Sequence, residues 1–393
     1  MTRLDTSRRL RRMGAGRESP RRHQERSPHL APLCMPRASD LPPITTVGTR
    51  SSKHARHTVR SIHARIATLS ARGYDPATMI KRPKIAVIGA GGNVGAAVAQ
   101  WAAVKELGDL VLIDIKAGPA EGRALDLTQC GPWEGFNNTS FTASDKPEAM
   151  AGADVVVMTA GVPRKPGQSR EELININAGI VKGICTDVKK HAPDAVLVVV
   201  SNPLDAMVFV AKQVTGFPRE RVIGSAGVLD SARFRTYLAL AAGVSVEDVQ
   251  AIVLGAHTDK DMVPILSTAM IGNVPATKFL SPEKLTEVVE NTKKGGATLT
   301  GLIGTSAWLA PGAGTCLMVE AIVRNQGRVL PCSVELQGEF GVKGAFVGVP
   351  VKLSAKGAEA VYEFELSAAE KDAFAKSVAA NTELMNIARG FLG

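Results

Sequence analysis

The chain has 393 residues, with 47 Lys plus Arg against 37 Asp plus Glu and a formal net charge of +10. The excess is not spread along the chain: residues 1–82 hold 18 basic and 5 acidic side chains, whereas the other 311 hold 29 and 32. The basicity therefore belongs to the first segment. This excludes a nucleic-acid-binding fold, which would carry its cationic face on the folded body.

Residues 1–82 are rich in Arg, Ser, Pro and His and show no sustained helical or alternating apolar period. Such a segment buries too little surface to offset its chain entropy, so it is expected to be a disordered basic extension. It lacks the apolar core of a secretory signal. Its composition resembles an organelle transit peptide, a cationic arm could touch nucleic acid or anionic lipid, and Met79, five residues before the first expected strand, is an alternative start. Five of the seven histidines lie here, which leaves His191 and His257 for chemistry in the body. His191 falls at a helix end and is expected to be solvated.

A body of 311 residues is long enough for a large core and for two domains of roughly 150 residues each. Cys34, Cys130, Cys185, Cys316 and Cys332 are odd in number and far apart. They suggest neither a zinc site nor a disulfide framework and fit reduced thiols in a cytoplasmic compartment. The longest apolar stretch, residues 195–210, is broken by Ser201, Asn202, Pro203 and Asp205, so it does not supply the ~20 apolar residues of a membrane span.

From Lys84 the pattern changes. Residues 84–88 form a short β-branched run, glycines follow, residues 94–107 are helical, and residues 110–114 close a β-α-β unit. Further apolar runs at 155–158, 195–200 and 251–255 alternate with helical stretches such as 171–190. Runs apolar on both faces and separated by helices argue for a parallel sheet covered on both sides. Beyond residue 226 the rhythm loosens, with helices at 230–242, 282–302 and 367–392 around strands at 329–336 and 345–353. The expected architecture is α/β: a Rossmann-type doubly wound sheet over residues 83–226, then an α+β substrate domain over 227–393.

Gly89, Gly91, Gly92, Asn93, Val94 and Gly95 stand where the first strand turns into the first helix. Backbone N–H groups and the helix dipole can receive a pyrophosphate there, provided no Cβ blocks it. Asp114 ends the second strand nineteen residues after Gly95. A carboxylate there accepts from both ribose hydroxyls and repels a 2′-phosphate, which favours NAD over NADP. Residues 159–170 follow the strand 155–158 and carry Arg164 and Arg170 on a Pro- and Gly-bearing loop, as a lid that brings cations onto an anion does.

These motifs, together with Asn175-Ile-Asn177, Val200-Ser-Asn-Pro203, the segment 228–235, the His257 segment and Leu330-Pro-Cys332, resemble the lactate/malate dehydrogenase family over nearly all of residues 83–393. More specifically they resemble the malate enzymes built on the lactate-dehydrogenase plan. The resemblance implies that Asn177 and the turn from Val200 to Asn202 line the nicotinamide, with Asn202 also reaching substrate. It implies that Arg233 clamps the carboxylate beside the reacting carbon, and that Asp230 partners His257, the proton donor and acceptor. Asp259 is nearer in sequence but ranks second as that partner. A homodimer or homotetramer is implied as well.

The chemistry explains the residue types. Reducing a 2-keto acid puts a hydride on carbon and a proton on oxygen, so an imidazole titrating near neutrality must face the carbonyl. A guanidinium at Arg233 binds a carboxylate through two parallel bonds, and Arg170 leans on the developing alkoxide as the lid closes. In the family the Arg164 position holds arginine in malate enzymes and glutamine in lactate enzymes. A charge pair at ~4 Å is worth on the order of 4 kcal/mol at an effective dielectric of ~20, so oxaloacetate is expected to be preferred to pyruvate. One departure bears on the imidazole: the family form Gly-Gly-His-Gly-Asp-x-Met-Val-Pro appears here with Thr258 for glycine and one extra residue before Met262. A glycine there supplies a backbone angle that threonine resists. The competing readings are a lactate or other 2-hydroxy-acid dehydrogenase and a dinucleotide-binding protein whose altered histidine loop has cost it catalysis.

Overall fold

The computed structural model describes residues 82–163 and 169–393. The basic extension before residue 82 and Arg164 lie outside the described residues. Strands β1 (Lys84–Ile88), β2 (Asp109–Ile113), β3 (Phe141–Ser144), β4 (Val155–Met158), β5 (Val196–Val199) and β6 (Val222–Gly224) pair in parallel in the order β3-β2-β1-β4-β5-β6. Their period of two sorts side chains between two apolar clusters. Ile85, Val87, Val155, Val157 and Val198 face one cluster, and Ala86, Ile88, Val156, Met158 and Val199 face the other. Both faces are covered, by α1 (Asn93–Val104), α2 (Ala117–Glu134), α3 (Arg170–His191) and α4 (Leu204–Thr215), so these strands read as unbroken apolar runs.

Strand order reverses between β1 and β4, which opens a crevice at the carboxyl ends where ligands bind in such sheets. Ser169 sets the end of the loop that follows β4. Its hydroxyl accepts from the Glu172 N–H at 3.0 Å, and the Glu172 carboxylate accepts from the Ser169 N–H at 2.9 Å, a reciprocal cap that starts α3 at Arg170.

The sheet continues through antiparallel strands: β7 (Val249–Gly255), β8 (Met262–Ile271), β9 (Val274–Pro275), β10 (Arg328–Gln337), β11 (Lys343–Ser354) and β12 (Gly357–Val361). β10 joins it to the parallel half through Ser333 opposite Gly224. Helices α5 (Ala226–Ala242), α6 (Pro282–Ile303), α7 (Leu309–Val323) and α8 (Ala368–Leu392) complete this part. The run at 251–255 was expected to belong with the parallel strands, but β7 pairs antiparallel with β8. The connection between them spans only residues 256–261, too short for the dozen or more residues of a parallel crossover. His191, expected to be solvated, keeps only 14 % of its side chain exposed and faces Glu148 at 4.0 Å. The helix C-terminus and that carboxylate give it a half-buried seat. Among the described residues, no helix is long and apolar enough to cross a membrane, and the four cysteines are free.

Candidate active site

Two cavities, about 590 and 370 Å3, open along the carboxyl edge of the parallel strands and share Thr159, Gly161 and Val162 as lining. Gly89, Gly92 and Asp114 line the larger one. Asp114 Oδ2 accepts from the Gly91 N–H at 3.0 Å, so the carboxylate at the end of β2 is tied to the glycine turn after β1. A Cβ on Gly91 would lie 2.9 Å from that carboxylate and 2.7 Å from Pro119 Cβ. A Cβ on Gly95 would meet the Gly89 carbonyl oxygen at 2.5 Å. The bare backbone therefore lets α1 seat closely on β1, with Gly92 as its N-cap and no side chain on its first N–H groups. A carboxylate for ribose hydroxyls beside a helix start cleared for pyrophosphate fits an adenine dinucleotide. Val94 lines the smaller cavity, whereas Asn93 turns into a separate groove against Trp101 and Trp308.

The smaller cavity gathers ionisable side chains. His257 follows β7, and Asp230 and Arg233 stand one helical turn apart on the same face of α5. His257 Nδ1 lies 2.7 Å from Asp230 Oδ2, and Arg233 Nη1 donates to Asp230 Oδ1 at 3.2 Å. Asp230 is buried, with 2 % of its side chain exposed. One carboxylate thus braces both the ring and the guanidinium, leaving His257 Nε2 for the cavity. The hydrogen bond goes to Asp230 although Asp259 also lines the cavity. Burial opposes a charged ring, but the charge and hydrogen bond of Asp230, helped by Asp205 and opposed by Arg233, carry His257 above its ordinary 6.5. Arg233 Nε is buried without a protein partner, so this guanidinium keeps capacity for an anion.

Val200 and Asn202 line the same cavity. Asn177 does not: it is 1 % exposed, and its amide is spent on main chain. Its Nδ2 donates to the Asn202 carbonyl at 2.6 Å and to that of Val162 at 3.1 Å, while its Oδ1 accepts from the Val162 N–H at 2.9 Å. Asn177 was expected to line the nicotinamide; its described bonds all run to main chain around that lining. A fully bonded amide supports the lining by clipping the Asn202 turn to the start of the lid. Arg170 is exposed at the first residue of α3, away from the described lining.

The departure after His257 costs the backbone little. Thr258 is absent from the non-glycine residues with positive φ. Its hydroxyl donates to Asp261 Oδ2 at 2.5 Å and accepts from the Asp261 N–H at 3.0 Å, and its carbonyl accepts from the Met262 N–H at 3.1 Å. The extra residue is absorbed in a closed turn. Sequence reasoning missed other parts of the site. Gly296 lines the cavity, and a Cβ on its neighbour Gly295 would stand 3.0 Å from Arg233 Cδ. The available signal was a glycine pair in a helix, which costs ~1 kcal/mol per residue relative to alanine unless space demands it. Asp205 was noticed only for breaking an apolar run, yet its carboxylate accepts from the His257 N–H at 3.0 Å and from Ser333 Oγ at 2.6 Å.

A proton-carrying ring set beside a dinucleotide crevice belongs to the nicotinamide-dependent oxidoreductases, and comparison with known proteins narrows the class. Residues 83–224 match the lactate/malate dehydrogenase NAD binding domain, and residues 227–391 match the alpha/beta C-terminal domain of the same enzymes. The chain belongs to the lactate/malate dehydrogenase family. It is 49 % identical over 300 residues to a malate dehydrogenase of Roseiflexus sp., covering 76 % of this chain and 96 % of the relative. Among solved structures it is similar to Cryptosporidium parvum malate dehydrogenase, with a TM-score of 0.76 and 38 % identity over 79 % of this chain and 99 % of the other. It is also similar to Plasmodium falciparum malate dehydrogenase in complex with NADH, with a TM-score of 0.74 and 34 % identity over 79 % of this chain and all of the other.

Proposed function

We propose that the chain is an NAD-dependent malate dehydrogenase that interconverts malate and oxaloacetate. The observation that carries this reading is the buried Asp230 carboxylate, which holds His257 and Arg233 together in one cavity next to the dinucleotide crevice. The bound nicotinamide supplies the hydride in one direction and accepts it in the other. His257 Nε2 gives the proton to the carbonyl oxygen during reduction and takes it from the hydroxyl during oxidation. Asp230 offsets the charge on the protonated ring and fixes its tautomer through Nδ1. Arg233 pairs with the carboxylate beside the reacting carbon, using donors that Asp230 leaves free, and Asn202, in the lining of the same cavity, orients the same end.

The far carboxylate of a four-carbon diacid needs a second cation, and Arg164 is assigned to it. Arg170, brought over by closure of the lid, leans on the oxygen that gains charge and helps exclude water. The reaction is one of the tricarboxylic acid cycle, and the cytoplasm and a homo-oligomer are the setting assigned to it. NADH oxidation with oxaloacetate and with pyruvate tests the reading. The parent should strongly prefer oxaloacetate, and R164Q should lose most of that preference. A parent that favours pyruvate, or binds NADH and turns over neither acid, overturns the assignment.

A further inference from the structure

His257 has two anchors, and only one belongs to the expected proton relay. The other is Asp205, in the first turn of α4 and three residues after Asn202. A first-turn acid commonly faces its own helix end and solvent. Asp205 does neither. It is 3 % exposed, and its two oxygens accept from groups 52 and 128 residues away: the His257 N–H at 3.0 Å and Ser333 Oγ at 2.6 Å. One carboxylate therefore joins the turn that carries Asn202, the main chain of the proton-transfer residue and strand β10. Burying it is costly, since desolvation pushes its carboxyl up to about 6 despite both hydrogen bonds. A site that needed only packing would be served by an apolar residue.

We infer that Asp205 is a positioning residue of the reaction: it fixes the His257 main chain against the Asn202 turn, and so sets the distance between the two walls that grip the substrate. Asp230 governs how the ring points, and Asp205 governs where the ring starts. Ser333 holds the second oxygen and keeps the carboxylate from swinging. Asp230 and Asp205 favour the charged ring and Arg233 opposes it, with Asp259 lining the same cavity, so Asp205 also adds negative charge at His257.

The inference rests on His257 as the proton donor and acceptor, and the test separates the two. D205A, D205N, S333A and H257N are compared by kcat, by NADH affinity from fluorescence, and by titration of the His257 ring followed by NMR without cofactor. D205A should lose between about tenfold and a hundredfold in kcat with NADH affinity unchanged, because a small displacement of an acid–base group is expensive. D205N offers an acceptor of the same shape to the His257 N–H and should recover much of that loss, while its missing charge lowers the ring pKa. S333A should fall between D205N and D205A. Buried carboxylates can be needed for folding, so D205N, which preserves volume, decides the matter if D205A gives no folded enzyme. An unmoved ring titration in D205N, or a folded D205A with kcat within twofold of the parent, overturns the inference while leaving the function intact. A fully active H257N overturns the underlying reading instead.

Discussion

Asp230→Asn removes one negative charge and almost no volume from the most enclosed part of the site. The carboxylate lies 2.7 Å from His257 Nδ1 and 3.2 Å from Arg233 Nη1, with 2 % of its side chain exposed. At a charge separation of ~4 Å and an effective dielectric of ~20, each pair is worth on the order of 4 kcal/mol. Two effects reduce that figure. The His257 side chain is 19 % exposed, which admits solvent screening, and Asp205 continues to favour the charged ring. A fall in the His257 pKa remains, together with a weaker grip on the tautomer. Oxaloacetate reduction at pH 7.5 should slow by about a hundredfold to a thousandfold, with the alkaline limb of its profile displaced to lower pH and NADH affinity unchanged because the glycine turn and Asp114 are untouched. Steady-state rates between pH 5 and 9, paired with NADH fluorescence titration, provide the check. A kcat within threefold of the parent and an unmoved profile would refute the reasoning.

In the parent, His257 is raised above 6.5. The protonated ring therefore persists past the ordinary histidine range, and reduction should hold to a pH above 6.5 before falling as pH rises. Oxidation of malate needs the neutral ring and should fall as pH drops through the same ionisation; a governing pKa below 6.5 in both directions contradicts the assignment. Gly95→Ala puts a Cβ 2.5 Å from the Gly89 carbonyl oxygen. It should weaken NADH binding at least tenfold and cost about 1–3 kcal/mol of stability, as overpacking does, measured by fluorescence titration and chemical denaturation. The Cys185 and Cys316 thiols are pushed up to about 12 by burial, so iodoacetamide at pH 7.5 should spare them while half-buried Cys130 labels first among the described cysteines. Peptide mass spectrometry reads the order, and early labelling of Cys185 contradicts it.

The parallel half of the fold was visible in the sequence because β1, β4 and β5 are buried on both faces and bounded by glycines or helical stretches. Less regular elements escaped. β6 has only three residues, β3 is as long as β4 and β5 but only half-buried and so lacks their unbroken apolar run, and α2 contains Gly118, Gly122, Gly131 and Pro132, which hide a helix from propensity reasoning. At the site, Asp230, Arg233 and His257 could be named because their chemistry is local to recognisable motifs. Asn177 carries the right residue type, but whether an amide faces a ligand or a carbonyl depends on which main-chain groups approach it, and these come from Val162 and Asn202. Asp205 depends on partners so distant in sequence that no window contains them. Thr258 reverses the expected penalty: its hydroxyl closes the turn that its Cβ was expected to strain.

Ser333 faces Gly224 where the parallel and antiparallel halves of the sheet adjoin, and its hydroxyl grips Asp205 beneath the cavity. The mechanical result is a floor stitched to the parallel half through Gly224 and, through Asp205, to the helix that follows the Asn202 turn and to the main chain of His257, so that parting the two halves of the sheet there would break these links together.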